Sequence, residues 1–190
     1  MNICYYCQHI LGIGHFHRSL EICRVLGLTH QVTMILGGPD IFVNEPSISI
    51  HQLPGLRMDE RFSGLIPCDP LPLEVVKERR QRDLLSFIRE YRPECMIIEL
   101  YPFGRKNFRF ELEPLLELLS AEGCPVFCSL RDILVEKTEG QDTFERRAVD
   151  TLNNYFSGLL IHADPNLVTL DQTFGKTDEI TTEIYYTGFI

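Results

Sequence analysis

Short apolar runs alternate with helical stripes along the whole chain. Residues 2–7 (NICYYC), 31–36 (QVTMIL), 47–53 (SISIHQL), 95–100 (CMIIEL), 125–130 (PVFCSL) and 158–163 (GLLIHA) are short, apolar and partly β-branched. That is the signature of strands buried on both faces of a parallel sheet. Residues 183–189 (EIYYTGF) read as a short seventh strand. Between these runs the apolar period changes to that of a helix. Phe16, Leu20 and Cys23 recur with Ser19, Ile22 and Leu26 beside them. Leu84, Phe87, Ile88 and Tyr91 form a second stripe, ended by Pro93. Leu112, Leu115, Leu116 and Leu119 form a third, stopped by Gly123, and Phe144, Ala148, Leu152 and Tyr155 a fourth.

Strands that alternate with helices predict right-handed crossovers and a doubly wound α/β fold, Rossmann-like, with a mainly parallel sheet of six to seven strands. The expected order is 3-2-1-4-5-6. Residues 54–73, with four prolines and two glycines, read as a long irregular loop, and such loops tend to be functional or mobile. No repeat, low-complexity tract or interdomain linker interrupts the pattern, so residues 1–190 are expected to form one domain. In such sheets ligands bind beyond the carboxyl ends of the strands, where the strand order reverses.

Composition narrows the function classes. The 190 residues carry a net charge of -9, against the basic face expected of a nucleic-acid binder. The one basic cluster, KERRQR at 77–82, lies in a helical pattern and reads as a solvated helix face. No apolar run approaches the roughly 20 residues that cross a bilayer, and the amino terminus lacks the features of a signal peptide. Seven cysteines and no leader point to a cytoplasmic protein with reduced thiols. Cys4 and Cys7 would face opposite sides of a strand, and Cys124 and Cys128 would lie about 13 Å apart along one. Neither pair can chelate, so these thiols read as buried structural groups and no metal site is expected.

Candidate chemistry gathers at the strand ends. Gly12, Gly14, His15, His17 and Arg18 follow the first strand and open the first helix. Glycines there let a ligand approach the backbone, and a helix start offers free N–H groups to an anion. The spacing is not a dinucleotide fingerprint, because His17 stands where the third glycine would be, and Gly-Lys-Ser/Thr of a P-loop is absent. No cofactor is therefore expected. His15 and His17 project about 200° apart at a helix start, so one can face the cleft while the other packs or meets solvent. Glu99 ends the fourth strand, with Arg105 and Lys106 beyond it. Arg131 and Asp132 follow the fifth, as rim groups or as a local ion pair. His162 and Asp164 close the sixth, where Asp164 before Pro165 can equally form a turn.

The segment GHFHRSLEICRVL, 14–26, resembles the Gly-His-x-x-[Pro/Arg]-[Ser/Ala]-Leu opening of nucleotide-sugar glycosyltransferases with the GT-B fold. It is most similar to peptidoglycan-type N-acetylglucosaminyltransferases and to a group of bacterial predicted glycosyltransferases. IIELYPFGRKNFRFEL (97–112), CSLRDIL (128–134) and the closing YYTGFI (185–190) extend the resemblance over most of the chain. The resemblance implies two Rossmann-like domains across a cleft, of which this chain is the amino-terminal, acceptor-side one. The carboxy-terminal, donor-binding domain would lie on a longer chain or on a separate one. It implies His15 as the base for an acceptor hydroxyl, with Gly12, Gly14, His17, Arg18, Glu99, Arg105, Arg131, Asp132 and Asp164 around the substrates. The implied partners are a nucleotide-sugar donor and a sugar or lipid-linked acceptor, in an inverting transfer without an obligatory metal. Peripheral membrane contact is left open. The competing expectations are one half of a nucleotide-sugar hydrolase or epimerase, and a non-catalytic α/β binding or partner-docking domain.

Overall fold

The computed structural model describes residues 1–10, 13–59, 64–131, 134 and 140–190. Its strands are β1 (Asn2–Tyr6), β2 (Gln31–Leu36), β3 (Ile48–Gln52), β4 (Leu56–Met58), β5 (Leu65–Pro67), β6 (Cys95–Glu99), β7 (Val126–Leu130), β8 (Gly158–Ile161) and β9 (Ile184–Tyr186). Its α-helices are α1 (Gly14–Leu26), α2 (Leu73–Tyr91), α3 (Arg109–Ala121) and α4 (Gln141–Tyr155). Seven strands form one sheet in the order β3-β2-β1-β6-β7-β8-β9. Every pairing in it is parallel. This is the expected doubly wound order, with the seventh strand added at the edge beside the sixth.

Alternation along the strands divides the core between two faces. Ile3, Tyr5 and Cys7 pack with Phe16 and Cys23 of α1. Cys4 and Tyr6 point the other way, into a larger cluster with Val76 and Leu84 of α2, Leu112 and Leu116 of α3, and Leu152 of α4. The split follows from right-handed crossovers: the chain moves one way from β1 to β2 and the other way from β6 to β8. Each leucine that α3 buries contributes about 1.5–3 kcal/mol. The stops are local. Arg92 caps α2 with φ 50, just before Pro93, and Gly123 takes φ 69 beyond α3.

Two expectations change. The segment 54–73 is not wholly irregular, because β4 and β5 pair as an antiparallel hairpin, Leu56 opposite Pro67 and Met58 opposite Leu65. Three-residue strands are too short for period-2 alternation to show in the sequence. Nor is the KERRQR cluster simply a solvated face. Arg80 is fully buried, in line with Val76, Leu84 and Ile88 at successive steps of four. All seven cysteines are free, and Cys4 and Cys7 face opposite sides of the sheet. Burial pushes the thiols of Cys4 and Cys7 up to about 12, which makes them inert packing groups.

Candidate functional site

Because β1 and β6 are neighbours, the turn leaving β1 brings the start of α1 over the end of β6. His15, in the first turn of α1, places Nδ1 2.6 Å from Oε1 of Glu99, the last residue of β6. Arg105 donates to the other carboxylate oxygen, with Nε at 3.0 Å and Nη2 at 2.5 Å from Oε2. Glu99 is only 6% exposed. Burial alone would raise its carboxyl, but the close approach of His15 and the charge of Arg105 outweigh it and hold the group below the usual carboxylate range. Glu99 thus remains an anion under its two partners.

The segment that delivers Arg105 is strained and tightly packed. Leu100 and Arg105 adopt φ 66 and φ 58, the left-handed region that costs a non-glycine residue roughly 1–3 kcal/mol. Gly104 closes the turn, donating from its amide to Leu100 O at 2.7 Å. A side chain there would put its Cβ 2.6 Å from Leu100 Cδ2, so the Leu100 side chain would have to shift. His15, Ile10, Met58, Leu100, Arg105 and Phe108 line a cavity of about 260 Å³. Met58 comes from the β4–β5 hairpin, which sequence reading took for loop.

A second buried cluster lies at the neighbouring strand ends. Arg80 donates to Glu111 from Nε at 2.9 Å and Nη2 at 2.6 Å, to Gly37 O and Pro54 O from Nη1, and to Gln8 from Nη2. The Tyr6 hydroxyl donates to Glu111 Oε1. Burial would pull the Arg80 guanidinium down, but Glu111 outweighs it and raises Arg80 above its ordinary value. A third cluster is neutral. Ser19, Tyr5, Ser129 and His162 form a buried hydroxyl–imidazole chain that ends on the exposed Thr187, with His162 Nε2 2.7 Å from Ser129 Oγ and Nδ1 2.8 Å from Thr187 Oγ1. Burial first, then the charge of Arg18, lowers His162 to about 4.

The predicted site residues separate accordingly. His15, Glu99 and Arg105 come together. Gly14 opens α1, and a Cβ added there would meet nothing within 4 Å, so neither packing nor conformation demands a glycine. His17 is exposed and packs edge-on against Phe16, with ring centroids 5.3 Å apart. Arg18 is half-buried and lies toward His162, and Arg131 is half-buried at the end of β7. Asp164 closes a turn, accepting at Oδ1 from both the backbone and side-chain nitrogens of Asn166 at 2.9 Å. His162 is not on the rim but beneath it, 6% exposed. Gly12 and Asp132 lie outside the described residues. Among the described residues no group of His, Cys, Asp and Glu could hold a metal ion, and no helix is long and apolar enough to cross a membrane.

Sequence reading missed Arg80 and Glu111. The signal was present: Arg80 is four residues before Leu84, and Glu111 four before Leu115, so both fall on the apolar stripe.

No family model matches the chain, and no curated protein matches it. Solved structures do. Phytolacca americana UGT2 aligns with a TM-score of 0.55 at 13% identity, over 99% of this chain and 52% of that one. It has also been solved with UDP-2fluoro-glucose and pterostilbene. Sucrose-phosphate synthase from Thermosynechococcus elongatus aligns at 0.58 and 9% identity, over 97% and 47%. A UDP-glucosyltransferase from Polygonum tinctorium aligns at 0.58 and 10%, over 98% and 51%. At these identities the likeness establishes the fold: a Rossmann-like α/β domain that matches one half of GT-B glycosyltransferases, spanning about half the length of each.

Proposed function

We propose that this chain is the acceptor-side half of a glycosyltransferase that moves a sugar from a nucleotide-sugar to an acceptor hydroxyl. The observation that carries the reading is the 2.6 Å contact between His15 Nδ1 and Glu99 Oε1 at the carboxyl ends of the strands. A carboxylate on one ring nitrogen orients the imidazole and leaves Nε2 as the nitrogen for chemistry. His15 lines the cavity of about 260 Å³, and its side chain is 25% exposed, so an acceptor can reach it.

In the proposed step the acceptor hydroxyl gives its proton to His15 Nε2 as its oxygen bonds to the anomeric carbon. The bond from that carbon to the diphosphate breaks, the electron pair leaves with the nucleoside diphosphate, and the configuration inverts. Glu99, held ionised, stabilises the imidazolium that forms. Arg105 keeps Glu99 in place. The amides at the start of α1, beside a glycine that packing does not require, suit charge building on the leaving group. The donor's nucleoside is assigned to a second domain outside this chain.

The test is kinetic. With the donor-binding half supplied on the same chain or in trans, His15→Ala should lower kcat by about two to four powers of ten. Near-normal turnover would place the base elsewhere. The chain alone should unfold cooperatively and show no transfer, because the in-line geometry needs both walls of the cleft. Micromolar binding of a uridine or guanosine diphosphate sugar to these 190 residues, measured by calorimetric titration, would overturn the assignment of the halves.

A further inference from the structure

Beside the His15 cavity lies a larger one, of about 540 Å³, between the 102–109 segment and the first turns of α4. Its walls are of two kinds. Pro102, Phe103 and Phe144 are apolar, while Lys106, Arg109 and Arg147 bring three cationic side chains to the same space. Among the described residues no carboxylate lines it. On a chain with a net charge of -9 this is a local reversal of sign. Among the described residues neither Lys106 nor Arg147 is in an ion pair, and Arg109 approaches only Glu113, at 3.8 Å. The neighbouring acid of α4, Asp142, is occupied by Arg146 at 2.9 Å and Lys176 at 3.3 Å. The start of α4, at Gly140, opens on the same cavity and adds the positive end of a helix dipole.

Cations held together repel one another and persist where an anion joins them. Three of them, with a helix start, suit a phosphate, whose charge is close to -2 at neutral pH, better than a single carboxylate. The aromatic walls ask for an apolar group beside that phosphate. Lys106 lines this cavity and the His15 cavity alike, so a molecule anchored in one reaches into the other. We infer that the larger cavity takes the phosphate and adjoining apolar part of the acceptor, so that the acceptor is a phosphate-bearing amphiphile, soluble or lipid-linked. Its assignment to the acceptor rests on the transfer reading above; the capture of phosphate does not.

The experiment compares ligands and variants on the 190-residue chain. Phenyl phosphate is titrated against phenol as the uncharged control, followed by amide chemical shifts. A parallel arm sediments the protein with phosphatidylcholine vesicles, with and without a polyprenyl phosphate. Capture in either arm, weakened at least tenfold by K106Q combined with R147Q and unchanged by R89Q on α2, supports the inference, and the arm that responds identifies the source of the phosphate. Both substituted side chains are exposed, so the double variant keeps its fold. Equal binding of phenol and phenyl phosphate with no gain on the charged vesicles, or capture indifferent to the double variant, would overturn it. If capture fails while His15→Ala still cripples transfer, only the acceptor class falls. If capture holds while His15→Ala transfers normally, the phosphate site stands and the transfer reading falls.

Discussion

Two arginine–glutamate pairs sit at neighbouring strand ends of the same sheet, and they differ in what surrounds them. Arg80 and Glu111 have side chains that are both 0% exposed, closed in by Tyr6, Gln8 and two backbone carbonyls. Arg105 and Glu99 are nearly as buried, but the third member of their cluster is an imidazole that lines a cavity. In the first pair every nitrogen of Arg80 meets a protein acceptor, so the guanidinium keeps nothing for a ligand. In the second, the buried ion pair fixes a group that retains one free function. The difference teaches that burial of charge does not itself mark chemistry; what matters is whether the cluster ends in protein or in open space.

The comparison can be broken most forcefully at the closed pair. Glu111→Ala should cost about 3–5 kcal/mol, because Arg80 is left as a buried charge without its counter-ion. Thermal melting should register that as a fall of roughly 6–20 °C for a chain of this size. Replacing both members with apolar residues, Arg80→Met with Glu111→Leu, should cost much less. A Glu111→Ala protein that melts normally would show that the cluster does not hold α2 and α3 to the sheet.

Acid separates the clusters further. His162 is held near 4 in the folded state against about 6.5 unfolded, so the unfolded chain binds the extra proton between these values. Stability contributed by neutral His162 is full above about pH 6.5 and is lost as pH falls toward 4, by up to roughly 3 kcal/mol. Glu99 has the same sign in a lower window. Its folded carboxyl is depressed, so its contribution is full above about 4.3 and fades only below that. Melting temperatures from pH 7.5 to 4.5 should therefore slope downward, and His162→Gln should flatten the slope. An equal slope in that variant would assign it to other groups.

Smaller effects sharpen the open cluster. Glu99→Gln removes the charge opposite the imidazolium and should lower kcat by about ten- to a hundredfold, part of the full contribution of a general base. The loss should appear in kcat rather than KM, with the pH–rate profile shifting as the base becomes more acidic. An unchanged profile would make Glu99 merely a support for Arg105. Gly14→Ala is the mildest. With nothing within 4 Å of the added methyl, stability should stay within about 1 kcal/mol. A drop in transfer without a drop in melting temperature would mean that a ligand passes over that backbone.

The sequence by itself determined the sheet, its strand order, the helices on its two faces and the rim on which His15, Glu99 and Arg105 stand. These follow from local quantities: the period of apolar residues, the short crossovers between strands, and the proline and glycine stops. Tertiary structure alone decided which polar residues meet. Arg80 reads as one more cation in KERRQR until α3 brings Glu111 beneath it, 31 residues away. The β4–β5 hairpin reads as loop because three residues per strand carry too little pattern. Apolar periodicity is additive along a chain and so survives in one dimension. The partnership of a charged group depends on a few ångströms between distant segments, and only packing of the helices on the sheet sets that distance.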